Sequence, residues 1–177
     1  MHIALAHIYY PVLTLGPGRR IGLWTIGCER ACPGCCNPEL WYLDPSRTIA
    51  VDKVIRIIRQ LAAPGTGITI TGGEPFLQPQ ALLELVRGVQ PLYADVLVYT
   101  GYRLAELLAM GNPVIEDILC TIAVLVDGSY IESLNDGVAL RGSTNQQVLV
   151  FHQALLHSYL SSLSRPRQIQ NTLVGNT

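Results

Sequence analysis

Short runs rich in β-branched residues alternate along this chain with stretches of helical periodicity, and that alternation most narrows the folds open to it. Arg20 to Ile26 (RIGLWTI), Ile68 to Thr71 (ITIT), Asp95 to Tyr99 (DVLVY) and Thr121 to Val126 (TIAVLV) read as strands. Between the first two, Val51, Val54, Ile55, Ile58 and Leu61 recur at helical spacing, with Asp52, Lys53, Arg56 and Arg59 on the other side. Pro64 and Gly65 stop that helix. Gln80 to Arg87 and Leu104 to Met110 are predicted helical, the second ending at Gly111. Strands separated by helices predict βαβ units and a parallel sheet, in which ligands bind beyond the C-terminal strand ends. The chain delivers Gly27-Cys28, Gly72-Gly73-Glu74, Thr100-Gly101-Tyr102 and Asp127-Gly128 to those ends, polar and glycine-rich pieces converging on one rim.

The 177 residues fit one domain with its own core, and a net charge of −1 offers no footprint for nucleic acid or an acidic membrane. No apolar run approaches the ~20 residues of a membrane span. Met1, His2 and Ile3 begin no charged-then-apolar leader, so a cytoplasmic chain is expected. Periodicity fades after Ser164 (SRPRQIQNTLVGNT); residues 1–163 are expected to form the single domain and 164–177 a mobile tail.

Four of the five cysteines lie between Cys28 and Cys36, in GCERACPGCCNPELW. Cysteines packed into one loop of an unsecreted chain point to metal or redox chemistry, since a lone loop staples nothing distant. Cys28, Cys32 and Cys35 form C-x3-C-x2-C. Three thiolates can bind three irons of a [4Fe–4S] cube and leave the fourth open to a ligand, unlike a fully cysteine-ligated electron-transfer cluster. Structural zinc, with Cys36 as a fourth ligand, is the alternative, though paired C-x2-C knuckles are absent and His2, His7, His152 and His157 are remote.

C-x3-C-x2-C is also the cysteine signature of the radical S-adenosylmethionine superfamily. Further blocks follow in order: GPGRR (Gly16 to Arg20), CPGCCNPELW (Cys32 to Trp41), TGGEPF (Thr71 to Phe76), VYTGY (Val98 to Tyr102), LVDGSY (Leu125 to Tyr130) and RGSTNQ (Arg141 to Gln146). Together they resemble the small glycyl-radical-enzyme activases, in particular the activators of anaerobic ribonucleotide reductase. The resemblance implies an α/β radical S-adenosylmethionine core, a shortened open (β/α)6-type partial TIM barrel of about six parallel strands. It implies a [4Fe–4S] cluster on Cys28, Cys32 and Cys35 that chelates S-adenosylmethionine and cleaves it reductively to a 5′-deoxyadenosyl radical. It also implies a large glycyl-radical protein as substrate and a reducing donor such as flavodoxin or ferredoxin. A small radical enzyme acting on another peptide or metabolite is the nearest alternative, and a non-catalytic iron–sulfur or zinc module the more distant one.

At the other rim positions the same resemblance assigns cofactor contacts. Gly72 and Gly73 let backbone approach a ligand, and Glu74 supplies a carboxylate toward the methionine ammonium. Thr100 and Asp127 are candidates for a monovalent cation position, and Arg141, with Ser143 and Asn145, for hydrogen bonds to cofactor or partner. Each of these segments also reads as an ordinary turn. Cys36 is expected to pack within the loop and Cys120 within the core before a strand. Glu29-Arg30-Ala31 replaces the histidine-containing spacer frequent in the reductase activators.

Overall fold

The computed structural model describes residues 1–61 and 63–168. Seven strands form one open sheet: β1 (His2–Val12), β2 (Arg20–Thr25), β3 (Thr48–Ala50), β4 (Gly67–Gly72), β5 (Val96–Tyr99), β6 (Val124–Asp127) and β7 (Gln147–Val150). Among the described residues five α-helices accompany them: α1 (Val51–Leu61), α2 (Pro79–Val89), α3 (Leu104–Ala109), α4 (Pro113–Thr121) and α5 (Leu156–Leu163). The strand order is β3-β1-β2-β4-β5-β6-β7. Only the central β2, β4, β5 and β6 run parallel. β1, β3 and β7 pair antiparallel at the flanks. The α/β class is as expected; the parallel part is four strands rather than about six.

Burial follows the two-residue period of the strands. Ile21, Leu23, Ile68, Ile70, Val96, Val98 and Leu125 meet the apolar stripes of α1, α2 and α4 on one face. Leu97, Val124 and Val126 meet Tyr159 of α5 and Leu140 of the β6–β7 connection on the other. Burial on both faces is why these parallel strands read as nearly continuous apolar runs.

Arg20 alternates with Ile21, so its guanidinium is driven to the α5 side, where it is fully buried. It donates to both Asp95 carboxylate oxygens (2.6 and 3.1 Å), to Thr69 Oγ1 (2.6 Å) and to the Ile68 carbonyl (2.7 Å). The Tyr159 hydroxyl donates to Asp95 Oδ1 at 2.6 Å. A buried cation, its counter-charge and a buried phenol thus tie α5 to the N-terminal ends of β2, β4 and β5.

Helix α4 occupies part of the fourth predicted strand. Asn112 caps it, Oδ1 accepting from Val114 N at 3.0 Å, and Pro113 sits in its first turn. The strand therefore begins at Val124, and Cys120, expected in the core, is exposed on the helix. Cys36 is exposed too, not packed within its loop. Of the predicted tail, Ser164–Gln168 is described: Pro166 bridges Val138, and Arg167 Nη2 donates to the Arg141 and Gly142 carbonyls at 2.8 and 3.1 Å. The remainder of that tail, 169–177, lies outside the described residues. No helix among the described residues is long and apolar enough to cross a membrane.

Candidate iron–sulfur and cofactor site

Because β2, β4, β5 and β6 are parallel, their C-terminal ends share one rim, and the segments singled out in the sequence meet there. The cysteine loop leaves β2 and returns alongside its own start: Gly27 N donates to the Leu40 carbonyl (2.8 Å) and Cys28 N to the Trp41 carbonyl (2.9 Å). Its base is bonded to the next strand end, Glu74 N donating to the Gly27 carbonyl at 2.7 Å.

That close approach needs glycine. At φ +100°, Gly72 would carry a Cβ 2.6 Å from the Thr25 backbone N and O. A Cβ on Gly73 would strike the Gly27 carbonyl oxygen, the atom that receives Glu74 N. The paired glycines therefore press the β4 turn against the root of the cysteine loop.

Glu74 is 1% exposed. Its Oε1 accepts from Phe76 N (3.0 Å) and from the Thr100 hydroxyl (2.8 Å); its Oε2 accepts from Gly101 N (2.7 Å). Burial pushes its carboxyl up to about 7, against the pull of those three donors and the nearby Arg30. The residue thus acts inside the rim as a bracket between β4 and β5. Thr100 is committed in the same way, its hydroxyl accepting from Tyr102 N at 3.1 Å.

Asp127 joins the rim by its backbone, but its buried carboxylate turns toward α3. It accepts from Leu104 N at 2.8 Å and Gln147 N at 3.3 Å, with Arg103 Nη1 at 3.7 Å. Arg141 lies in the β6–β7 connection, paired with Asp136 at 2.6 Å. Its Nε and the Oδ1 of Asn145 are buried and without partners, while Asn145 Nδ2 donates to the Ser129 carbonyl at 2.8 Å. Ser143 is buried, its hydroxyl accepting from Ile131 N at 3.1 Å.

Within the loop all the cysteines are free, with Cys28, Cys32 and Cys35 half-buried. Burial pushes the Cys28 thiol up, the backbone N–H groups of Arg30 and Ala31 opposing it. Asn37 N donates to Cys35 Sγ at 3.4 Å.

A family model described as a 4Fe-4S single cluster domain matches residues 14–149, from the approach to β2 into β7. The chain belongs to the 4Fe-4S single cluster domain family. It is 38% identical over 152 residues to the anaerobic ribonucleoside-triphosphate reductase-activating protein of Salmonella typhi, covering 80% of this chain and 96% of that protein. The protein of the same name from Escherichia coli K12 is 37% identical over the same shares. The pyruvate formate-lyase-activating enzyme of Staphylococcus epidermidis is 29% identical over 165 residues, 90% of this chain and 63% of that enzyme.

The donor set suits the single cluster that names the family. Three thiols at C-x3-C-x2-C spacing, with amides aimed at two of the sulfurs, are what an iron–sulfur cluster takes from a loop. Among the described residues no three His, Cys, Asp or Glu side chains, the loop thiols included, converge on a metal-sized point, so the spacing of the cysteines carries the fit.

Arg30, noted in the sequence only as part of the spacer Glu29-Arg30-Ala31, is a further residue of the site. It reaches from inside the cysteine loop to the ends of β5 and β6, and a cation placed between two thiolate ligands was its only signal.

Proposed function

We propose that the protein is a radical S-adenosylmethionine enzyme that installs a glycyl radical on a large anaerobic ribonucleotide-reductase-like partner. The observation that carries the reading is the C-x3-C-x2-C loop bonded at its root to the Gly72-Gly73-Glu74 turn on the C-terminal rim of the parallel strands. Held by these residues, a [4Fe–4S] cluster and S-adenosylmethionine would supply reductive sulfonium cleavage and hydrogen-atom abstraction from the partner's glycine.

The chain's own task is to bind and orient. Cys28, Cys32 and Cys35 would hold the cluster as its three thiolate ligands. Gly72 and Gly73 bring bare backbone to the cofactor, while buried Glu74 keeps Thr100 and Gly101 in place beside it. Arg141 Nε and Asn145 Oδ1 offer an unused buried donor and acceptor on the far side of the rim. Asp127 sets the start of α3. We read the sheet as a shortened, open partial barrel within residues 1–163, closed in use by the partner rather than by further strands of its own. A low-potential electron donor completes the system.

The test is anaerobic reconstitution with iron and sulfide, reduction with dithionite, addition of S-adenosylmethionine and quantification of 5′-deoxyadenosine. The reductase subunit is then added and the glycyl radical sought by electron paramagnetic resonance. Intact cluster iron without 5′-deoxyadenosine would overturn the enzyme reading. A glycyl signal on a pyruvate formate-lyase subunit, and none on the reductase, would overturn the choice of partner.

A further inference from the structure

Arg30 lies between two of the proposed cluster ligands, yet its guanidinium serves a different part of the molecule. Nε and Nη2 both donate to the Gly101 carbonyl, at 3.1 and 2.8 Å. Nε also donates to the Ser129 hydroxyl (3.1 Å), and Nη2 to Glu106 Oε2 (3.1 Å). The guanidinium carbon stands 4.5 Å from the centroid of the Tyr102 ring. Ser129 Oγ in turn donates to the same Gly101 carbonyl at 2.9 Å.

Gly101 is therefore gripped from two sides: its N–H by Glu74 and its carbonyl by Arg30. The next loop residue, Ala31, is held at φ +41°, a left-handed conformation that alanine avoids unless its surroundings impose it. The ion pair with Glu106 is too exposed to account for this by itself, since surface pairs contribute little. A forked donor pair on one carbonyl plus a stacked face on tyrosine is a geometry that guanidinium satisfies and ammonium does not.

We infer that Arg30 is a positioning residue: it clamps the cysteine loop to the β5 and β6 ends and so sets the three thiolates relative to the Gly72-Gly73-Glu74 turn. The inference rests on the function proposed above, but the clamp itself exists without a cluster. In this chain the clamp has two halves, a buried carboxylate reaching up from β4 and a cation reaching down from the loop, with Gly101 between them.

The experiment has two arms, each on wild type, Arg30→Ala and Arg30→Lys. In the first, hydrogen exchange is followed in the full apo chain under reducing conditions. Loss of the fork should speed exchange about tenfold at residues 28–36 and at Gly101 and Tyr102, with the amides of α1 and α2 unchanged. In the second, the reconstituted, reduced proteins are titrated with S-adenosylmethionine while the cluster's electron paramagnetic resonance signal is monitored. The concentration for half-maximal spectral change should rise about tenfold in both variants, lysine failing to rescue because the charge alone is not the clamp. Unchanged loop exchange in Arg30→Ala overturns the clamp, and full rescue by lysine in either arm overturns the fork. Faster exchange with an unshifted titration overturns the link to the cofactor. A wild type that binds iron but shows no spectral response to S-adenosylmethionine overturns the underlying function instead, while the exchange arm still reads the clamp.

Discussion

Replacing Asp95 by alanine should destabilise the fold more than any surface change, because it strands a charge that has no route to water. Arg20 is fully buried, whereas the Asp95 side chain is one-fifth exposed. The substitution removes both carboxylate contacts of Arg20, at 2.6 and 3.1 Å, and the only acceptor shown for the Tyr159 hydroxyl. Breaking a buried ion pair from one side costs ~3–5 kcal/mol. Arg20 keeps Thr69 and the Ile68 carbonyl, which favours the lower end of that range. An orphaned buried hydroxyl adds ~1–2 kcal/mol, not strictly additive because the groups share a partner. The expected total is about 4 kcal/mol, a shift of ~2 M in the urea midpoint for a slope near ~2 kcal/mol/M. The assay is urea unfolding of the apo chain under reducing conditions, with Tyr159→Phe as the reference for the hydroxyl alone, expected at about 1 kcal/mol. A midpoint for Asp95→Ala equal to that of Tyr159→Phe would refute the reasoning, because Arg20 would then be stable without its counter-charge.

Three further outcomes test the site. Cys28→Ala, Cys32→Ala and Cys35→Ala should each abolish cluster absorption and 5′-deoxyadenosine formation after reconstitution, whereas Cys36→Ala should retain both; cluster loss in the Cys36 variant alone would reassign the ligands. Gly73→Ala should lower stability by ~2 kcal/mol or more, since its Cβ meets the Gly27 backbone carbonyl rather than a flexible side chain, and a thermal melt matching wild type would contradict the close approach. For Glu74, burial raises the folded pKa to about 7 from 4.5, so between those values the folded state holds the extra proton and stability falls as pH rises. Its contribution is complete below pH 4.5 and, by pH 7.5, lower by about 3 kcal/mol. Glu74→Gln should flatten this part of the stability profile of the apo chain; parallel profiles for the two proteins would count against a buried titrating carboxylate.

Much of the site was legible in order along the chain. The residues after β2, β4, β5 and β6 could be placed on one rim because strand and helix periods are local, and parallel strands must end on the same side. The cysteine spacing marked a candidate donor set without any structure. The four parallel strands stood out because burial on both faces makes them largely apolar. The flanking β1 and β7 did not: β1 is buried only over Ile3 to Leu5 and at Val12 and otherwise mixes half-buried with exposed residues, and β7 is a four-residue edge with no fully buried position. Helix α4 was signalled by Asn112-Pro113, but its apolar composition merged with the strand that follows.

What the sequence determined by itself is therefore the alternating α/β class, the shared rim and the three-thiol loop, all properties of neighbouring residues and their spacing. Tertiary structure alone decided what the polar side chains do. Glu74 and Thr100 bond to each other across 26 positions, Arg30 reaches Gly101 across 71, and Arg20 finds Asp95 across 75. Asp127 accepts from Leu104 N at the start of α3, 23 positions away. Such partners are chosen by which groups burial leaves without water once the sheet is assembled, and no local period encodes that.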